Sequence, residues 1–167
     1  MNPRPVQIGV DPPAIAWTVG RASHGDVSGI VVAVQELLLE LGGTPPPTPA
    51  LTATARELVD DHSVGAVLVA RVDSEVIGVL AASWQVAIHA AGEYATIQDL
   101  WVHPAWRKRS VGGELVEALV GVCHDREVTR VEVGLPREGF RELRATEAFY
   151  LDNDFEPLGP RMRRVLS

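Results

Sequence analysis

One stretch of the chain combines residue types that bind phosphate: Asp99-Leu100-Trp101-Val102-His103-Pro104-Ala105-Trp106-Arg107-Lys108-Arg109-Ser110-Val111-Gly112-Gly113-Glu114-Leu115. It reads as a strand, a Pro-terminated turn, a basic loop and a helix that opens with small residues. The first turn of a helix leaves backbone N–H groups without intrahelical partners, and the helix dipole adds partial positive charge there. Glycines let an anion approach that backbone closely. Arg107, Lys108 and Arg109 lie just upstream, in a chain whose 15 Lys and Arg are outnumbered by 22 Asp and Glu. Such a loop suits an anion, and a diphosphate best. The plainer alternative is a solvated basic loop before an ordinary serine N-cap. The stretch is no Walker loop, because no Gly-Lys-Ser/Thr follows, and no dinucleotide fingerprint, because G-x-G-x-x-G is absent.

Other reactive residues are dispersed. His24, His62, His89, His103 and His124 show no metal-ligand spacing, so no metal is expected. Cys123 is the only cysteine and sits near the apolar face of a helix, where it reads as a small core residue. No Gly-x-Ser-x-Gly elbow is present, which argues against a serine hydrolase. Strand alternation puts Glu93, Ala95, Ile97 and Asp99 on one face, and Tyr94, Thr96, Gln98 and Leu100 on the other. Glu93 and Asp99 are therefore candidate proton acceptors, with His89 a second choice; a water chain without a single base is an equal alternative.

The elements that must position these groups follow from periodicity. Residues 1–14 form a loose, proline-rich lead-in, and residues 15–167 a single domain. Ala16 to Val19 is a short strand. Val27, Ile30, Val31, Val34, Leu37, Leu38 and Leu41 mark one face of an amphipathic helix that Gly42-Gly43 stops. Thr44 to Pro49 is a stiff loop, and Leu51 to Asp61 a second helix. Ala66 to Ala70 and Val76 to Trp84 form a hairpin about Asp73-Ser74. Tyr94 to Val102 is the next strand and Ser110 to His124 the next helix. A strand at Arg130 to Gly134, a helix at Phe140 to Leu151 and two short strands around Pro157 to Pro160 complete the series. This order predicts an α+β fold on a mixed sheet rather than a doubly wound one.

Val102-His103-Pro104, Arg107-x-x-Ser110-x-Gly112 and their flanking elements together resemble the GNAT acetyltransferases, whose motif A reads Arg/Gln-x-x-Gly-x-Gly/Ala. Ser110 stands at the first glycine of that motif. The resemblance runs roughly from Ile15 to Leu166 and implies a central, mostly antiparallel sheet splayed between its fourth and fifth strands, with about four flanking helices. It implies acetyl-CoA as co-substrate and no metal. The amides of Arg109, Ser110, Val111, Gly112 and Gly113 would hold the phosphates, with charge added by Arg107 and Lys108. Pantetheine would lie along Leu100, Trp101 and Val102, and the Val102 N–H would face the thioester oxygen. Tyr150 would protonate the departing thiolate; a phenol stays protonated at neutral pH. Its alternative is a ring packed in the core. The Leu-Gly-Phe turn common in the family appears here as Asn153-Asp154-Phe155, and Asp154 tolerates the left-handed geometry a glycine would adopt.

Composition bounds the rest. The 167 residues, 46% apolar and 22% charged, suffice for a core without disulfides. A net charge of −7 argues against nucleic acid as partner. No apolar run spans a membrane, and Met1-Asn2-Pro3-Arg4-Pro5 carries no signal core, so a cytoplasmic protein is expected. The resemblance implies acetyl transfer to a primary amine of a small molecule or peptide; the alternative is a non-catalytic acyl-CoA-binding module. Glu36, Glu40, Glu57, Asp60 and Asp61 either favour a cationic acceptor or form ordinary solvated faces. Trp84, Trp101 and Trp106 are candidates for an acceptor pocket. The segment Arg161 to Leu166 offers a strand edge for a homodimer.

Overall fold

A computed structural model describes residues 16–159. Its order is β1 (Thr18–Arg21), α1 (Val27–Glu40), α2 (Thr48–Asp60), β2 (Gly65–Val72), β3 (Glu75–Ala87), β4 (Gly92–Val102), α3 (Val111–Asp125), β5 (Val131–Val133) and α4 (Leu143–Asp152). The strands form one sheet in chain order, antiparallel throughout except for the parallel pair β4–β5. No helix among the described residues is long and apolar enough to cross a membrane.

The sheet has a core on each face. Leu68, Leu80 and Ile97 pack with Leu115, Leu119 and Tyr150, beneath α3 and α4. Val67, Val79 and Trp101 pack with Ile30, Val31 and Val59, beneath α1 and α2. Successive residues of β2, Val67 and Leu68, thus enter opposite cores, as a two-residue period requires. The start of α1 is fixed by Asp26, which accepts from the Ser23 amide and hydroxyl and from Arg71 of β2.

Three readings change. The second helix begins at Thr48, inside the segment expected to be loop, because Pro49 is tolerated in a first turn where no helical N–H partner is needed. Phe155 to Gly159 forms no strand, while Arg161 to Leu166 and the lead-in 1–14 lie outside the described residues. The third change concerns β4. Ala82 pairs with Ile97 but Ala81 pairs with Asp99, so Gln98 is the extra residue of a bulge. A bulge resets alternation: Ile97 packs beneath α3, whereas Asp99 opens toward α1 and α2. Glu93 and Asp99 therefore lie on opposite faces of the sheet, not on one.

Candidate active site

The bulge also redirects the backbone of β4. Before it, the Ala95 N–H donates across to Arg130 at the entry to β5, at 2.9 Å. After it, the His103 N–H donates to the Ile77 carbonyl of β3 at 2.8 Å. Bonded positions alternate along an antiparallel ladder, so Asp99 and Trp101 turn their backbone groups to β3, while Leu100 and Val102 turn theirs outward. On that outward side β5 has already left: its pairing with β4 covers only Ala95, Thr96 and Ile97. Among the described residues no strand pairs with β4 on that side beyond Ile97, which leaves an opening in the sheet beside Leu100 and Val102.

The loop after β4 closes one end of this opening. Lys108 and Ser110 both adopt left-handed backbone, with φ of 60° and 69°. Alternating conformations of this kind turn successive N–H groups toward a common point. The N–H groups of Arg109, Ser110, Val111, Gly112 and Gly113 find no acceptor among the described residues, and the first bond of α3 runs from Glu114 to the Ser110 carbonyl at 2.9 Å. Ser110 occupies the N-cap position, yet its side chain makes no capping bond. The expected serine cap is absent because a left-handed residue aims its side chain away from the helix amides. A Cβ on Gly112 would sit 3.1 Å from the Phe149 ring, and one on Gly113 would sit 3.3 Å from Asn153 Oδ1. Both glycines thus seat α4 as well as baring the amides.

The three cations have different surroundings. Arg107 Nε donates to the Val102 carbonyl at 2.9 Å, and its Nη2 to Glu40 Oε1 at 2.6 Å. Trp101 Nε1 reaches the same Glu40 oxygen at 3.3 Å. Arg107 therefore ties the end of β4 to α1. Arg109 lies over the Trp106 ring, 5.3 Å from its centroid. Lys108 forms no ion pair among the described residues.

Tyr150 is 8% exposed, with its ring against Phe149 and Phe155 at centroid distances of 5.1 and 5.2 Å. Burial pushes its phenol up to about 12. The hydroxyl donates to no group among the described residues, and its oxygen is not sealed from solvent. The turn after α4 is left-handed at Asp154, with φ 64°, as expected from its sequence.

The two carboxylate candidates part here. Glu93 is bound by Arg126 at 2.6 and 3.0 Å, which holds it below the ordinary carboxylate range. It stands about 30 Å of extended strand from Val102. The structure does not bring it to the site, and His89 lies beyond β3 in the same distal turn, beside Tyr94. Asp99 adjoins the opening, has no hydrogen bond or ion pair among the described residues, and is pushed upward by burial. Trp101 is 7% exposed and packs in the core, and Trp84 and Trp106 lie under arginines. Sequence reasoning missed Glu40 as the partner of Arg107; the two are 67 residues apart and no local pattern joins them.

A sheet in this order, opened beyond its one parallel pair and flanked by four helices, has the architecture of the acyl-CoA N-acyltransferases. The chain belongs to the acetyltransferase (GNAT) family, whose model matches residues 31–151. No curated protein matches it in sequence. Among solved structures it is similar to a possible acetyltransferase from Clostridium difficile 630, with TM-score 0.76 and 17% identity over 90% of this chain and 97% of that one. It is similar to glucosamine-6-phosphate N-acetyltransferase from Arabidopsis thaliana, with TM-score 0.72 and 13% identity over 91% and 99%. It is also similar to AAC(6')-Iy in complex with a bisubstrate analog, with TM-score 0.76 and 14% identity over 91% and 99%. At these identities the likeness is one of fold.

Proposed function

We propose that the protein is an acetyl-CoA-dependent N-acetyltransferase acting on a primary amine by direct attack. The observation that carries this reading is the row of unpartnered amides from Arg109 to Gly113 beside the open edge of β4. Acetyl-CoA supplies the acetyl group as an activated thioester. The amides suit its diphosphate, Lys108 adds a cation, and the outward backbone groups of Leu100 suit the amides of its arm. The Val102 N–H is then placed for a developing oxyanion. Asp99 accepts the proton that the attacking ammonium must lose. Tyr150 supplies the proton that the departing sulfur must gain, which its high pKa keeps available.

The test is thiol release from acetyl-CoA over a panel of amines, peptides and aminoglycosides. Turnover is expected, with kcat falling about a hundredfold in Tyr150→Phe. An unchanged rate in that variant from pH 7 to about 9.5, where the native phenol remains protonated, removes Tyr150 from the acid role. Coenzyme binding without thiol release on any amine points instead to a non-catalytic acyl-CoA-binding module.

A further inference from the structure

A cavity of about 80 Å³ lies between α1, α2 and the sheet. One water needs about 15 Å³ of such space, so there is room for a group of several heavy atoms. Val34, Leu51, Leu58 and Ala81 line it, and Thr54 and Asp99 bring polar atoms. Among the described residues, Asp99 is the only charged one that lines it. A carboxylate half-buried among aliphatic side chains loses hydration and regains it only through a cation or hydrogen-bond donors. No protein group supplies either to Asp99 among the described residues, whereas the buried Asp26 is paired to Arg71 and Glu93 to Arg126. Asp99 is also next in sequence to Leu100, whose backbone fronts the opening beside β4.

We propose that this cavity seats the acceptor, and that the acceptor is a primary monoamine on a compact aliphatic body, its ammonium paired with Asp99. The inference rests on the transferase reading above and narrows its substrate. Apolar walls stabilise a hydrocarbon body by removing it from water. They give a sugar hydroxyl or a second ammonium no partner beyond Thr54, so each such group entering the cavity is left unpaired. Of the acidic residues on α1 and α2, Glu36 and Glu57 are exposed, Glu40 is held by Arg107 and Asp60 by His24, and none lines this cavity.

The experiment compares kcat/KM for isobutylamine and 3-methylbutylamine with that for spermine and kanamycin, read as thiol release from acetyl-CoA. The monoamines are expected to exceed the other two by at least tenfold. Asp99→Asn is expected to raise the monoamine KM tenfold or more. Ala55→Leu, which fills the cavity wall, is expected to raise it similarly while the native thermal shift with coenzyme A is kept, which shows a folded protein with its coenzyme site intact. Equal or better turnover of spermine or kanamycin overturns the acceptor class and leaves the transferase standing. An unchanged monoamine KM in a folded Ala55→Leu overturns the cavity as the seat. No thiol release with any amine overturns the transferase reading and this inference together.

Discussion

Ser110 holds a conformation that its side chain disfavours. A left-handed non-glycine residue costs roughly 1–2 kcal/mol, and the serine recovers none of this through a capping bond. Ser110→Gly is therefore expected to stabilise the protein by about 1 kcal/mol, part of the relief being offset by the freer unfolded chain. In a domain this size that raises Tm by about 2–4 °C, readable by calorimetry. A lower Tm would mean that the hydroxyl makes a favourable contact. Tyr150 gives a second residue-level expectation. Its pKa is raised from 10.0 to about 12 in the fold, so its contribution is complete below pH 10 and is lost as pH rises toward 12. About 3 kcal/mol disappears across that window, half of it by about pH 11. Urea unfolding at pH 9 and 11 should show that loss in the native protein and a smaller one in Tyr150→Phe.

Among the elements, β4 does most to shape the site, and its decisive feature is the least visible in the sequence. The loop from Arg107 to Gly113 was legible because local rules govern it: cations, small residues and a helix start are all adjacent in the chain. The hairpin and the long helices were legible through periodicity. The bulge at Gln98 was not, since a glutamine in a strand carries no mark of being unpaired, and alternation run through it placed Asp99 on the wrong face. Glu93 stood among the candidate proton acceptors because nothing local marks its partner Arg126, 33 residues away. The same distance effect hid the joint that fixes α1. Asp26, 5% exposed, is paired with Arg71 across 45 residues and held at about 2, below the ordinary 3.8. A lowered pKa stabilises the fold above pH 3.8, and this is lost as pH falls toward 2. The loss amounts to about 2 kcal/mol. Acid titration followed by circular dichroism should show it, and Asp26→Asn should flatten the titration while lowering stability at neutral pH. Arg71→Leu should cost more, about 3–5 kcal/mol, because it leaves the carboxylate buried without its cation. Equal stability of Arg71→Leu and the native protein would refute the pairing as a fold determinant.

At the scale of the whole molecule, the net charge of −7 opposes an anionic coenzyme. On the proposed reading, binding comes from the local geometry: fixed amide dipoles at the start of α3 and the β4 backbone beyond its pairing with β5. A ligand that binds only the folded state at a hundred times its Kd stabilises by about 2.7 kcal/mol. For a domain of this length that is a Tm rise of about 5–10 °C. Coenzyme A at saturating concentration is expected to produce this shift. Hydrogen exchange should slow in the same sample at Leu100, Val102 and the amides from Arg109 to Gly113; the last five have no acceptor among the described residues. The amides of β1 and β2, on the far side of the sheet, should change only as far as global stability rises. The two readouts constrain each other, because a thermal shift alone reports binding anywhere on the fold. A full shift with the exchange of Arg109 to Gly113 unchanged would place the coenzyme elsewhere and would remove the basis for the oxyanion and proton-donor roles, both of which depend on a thioester lying along β4.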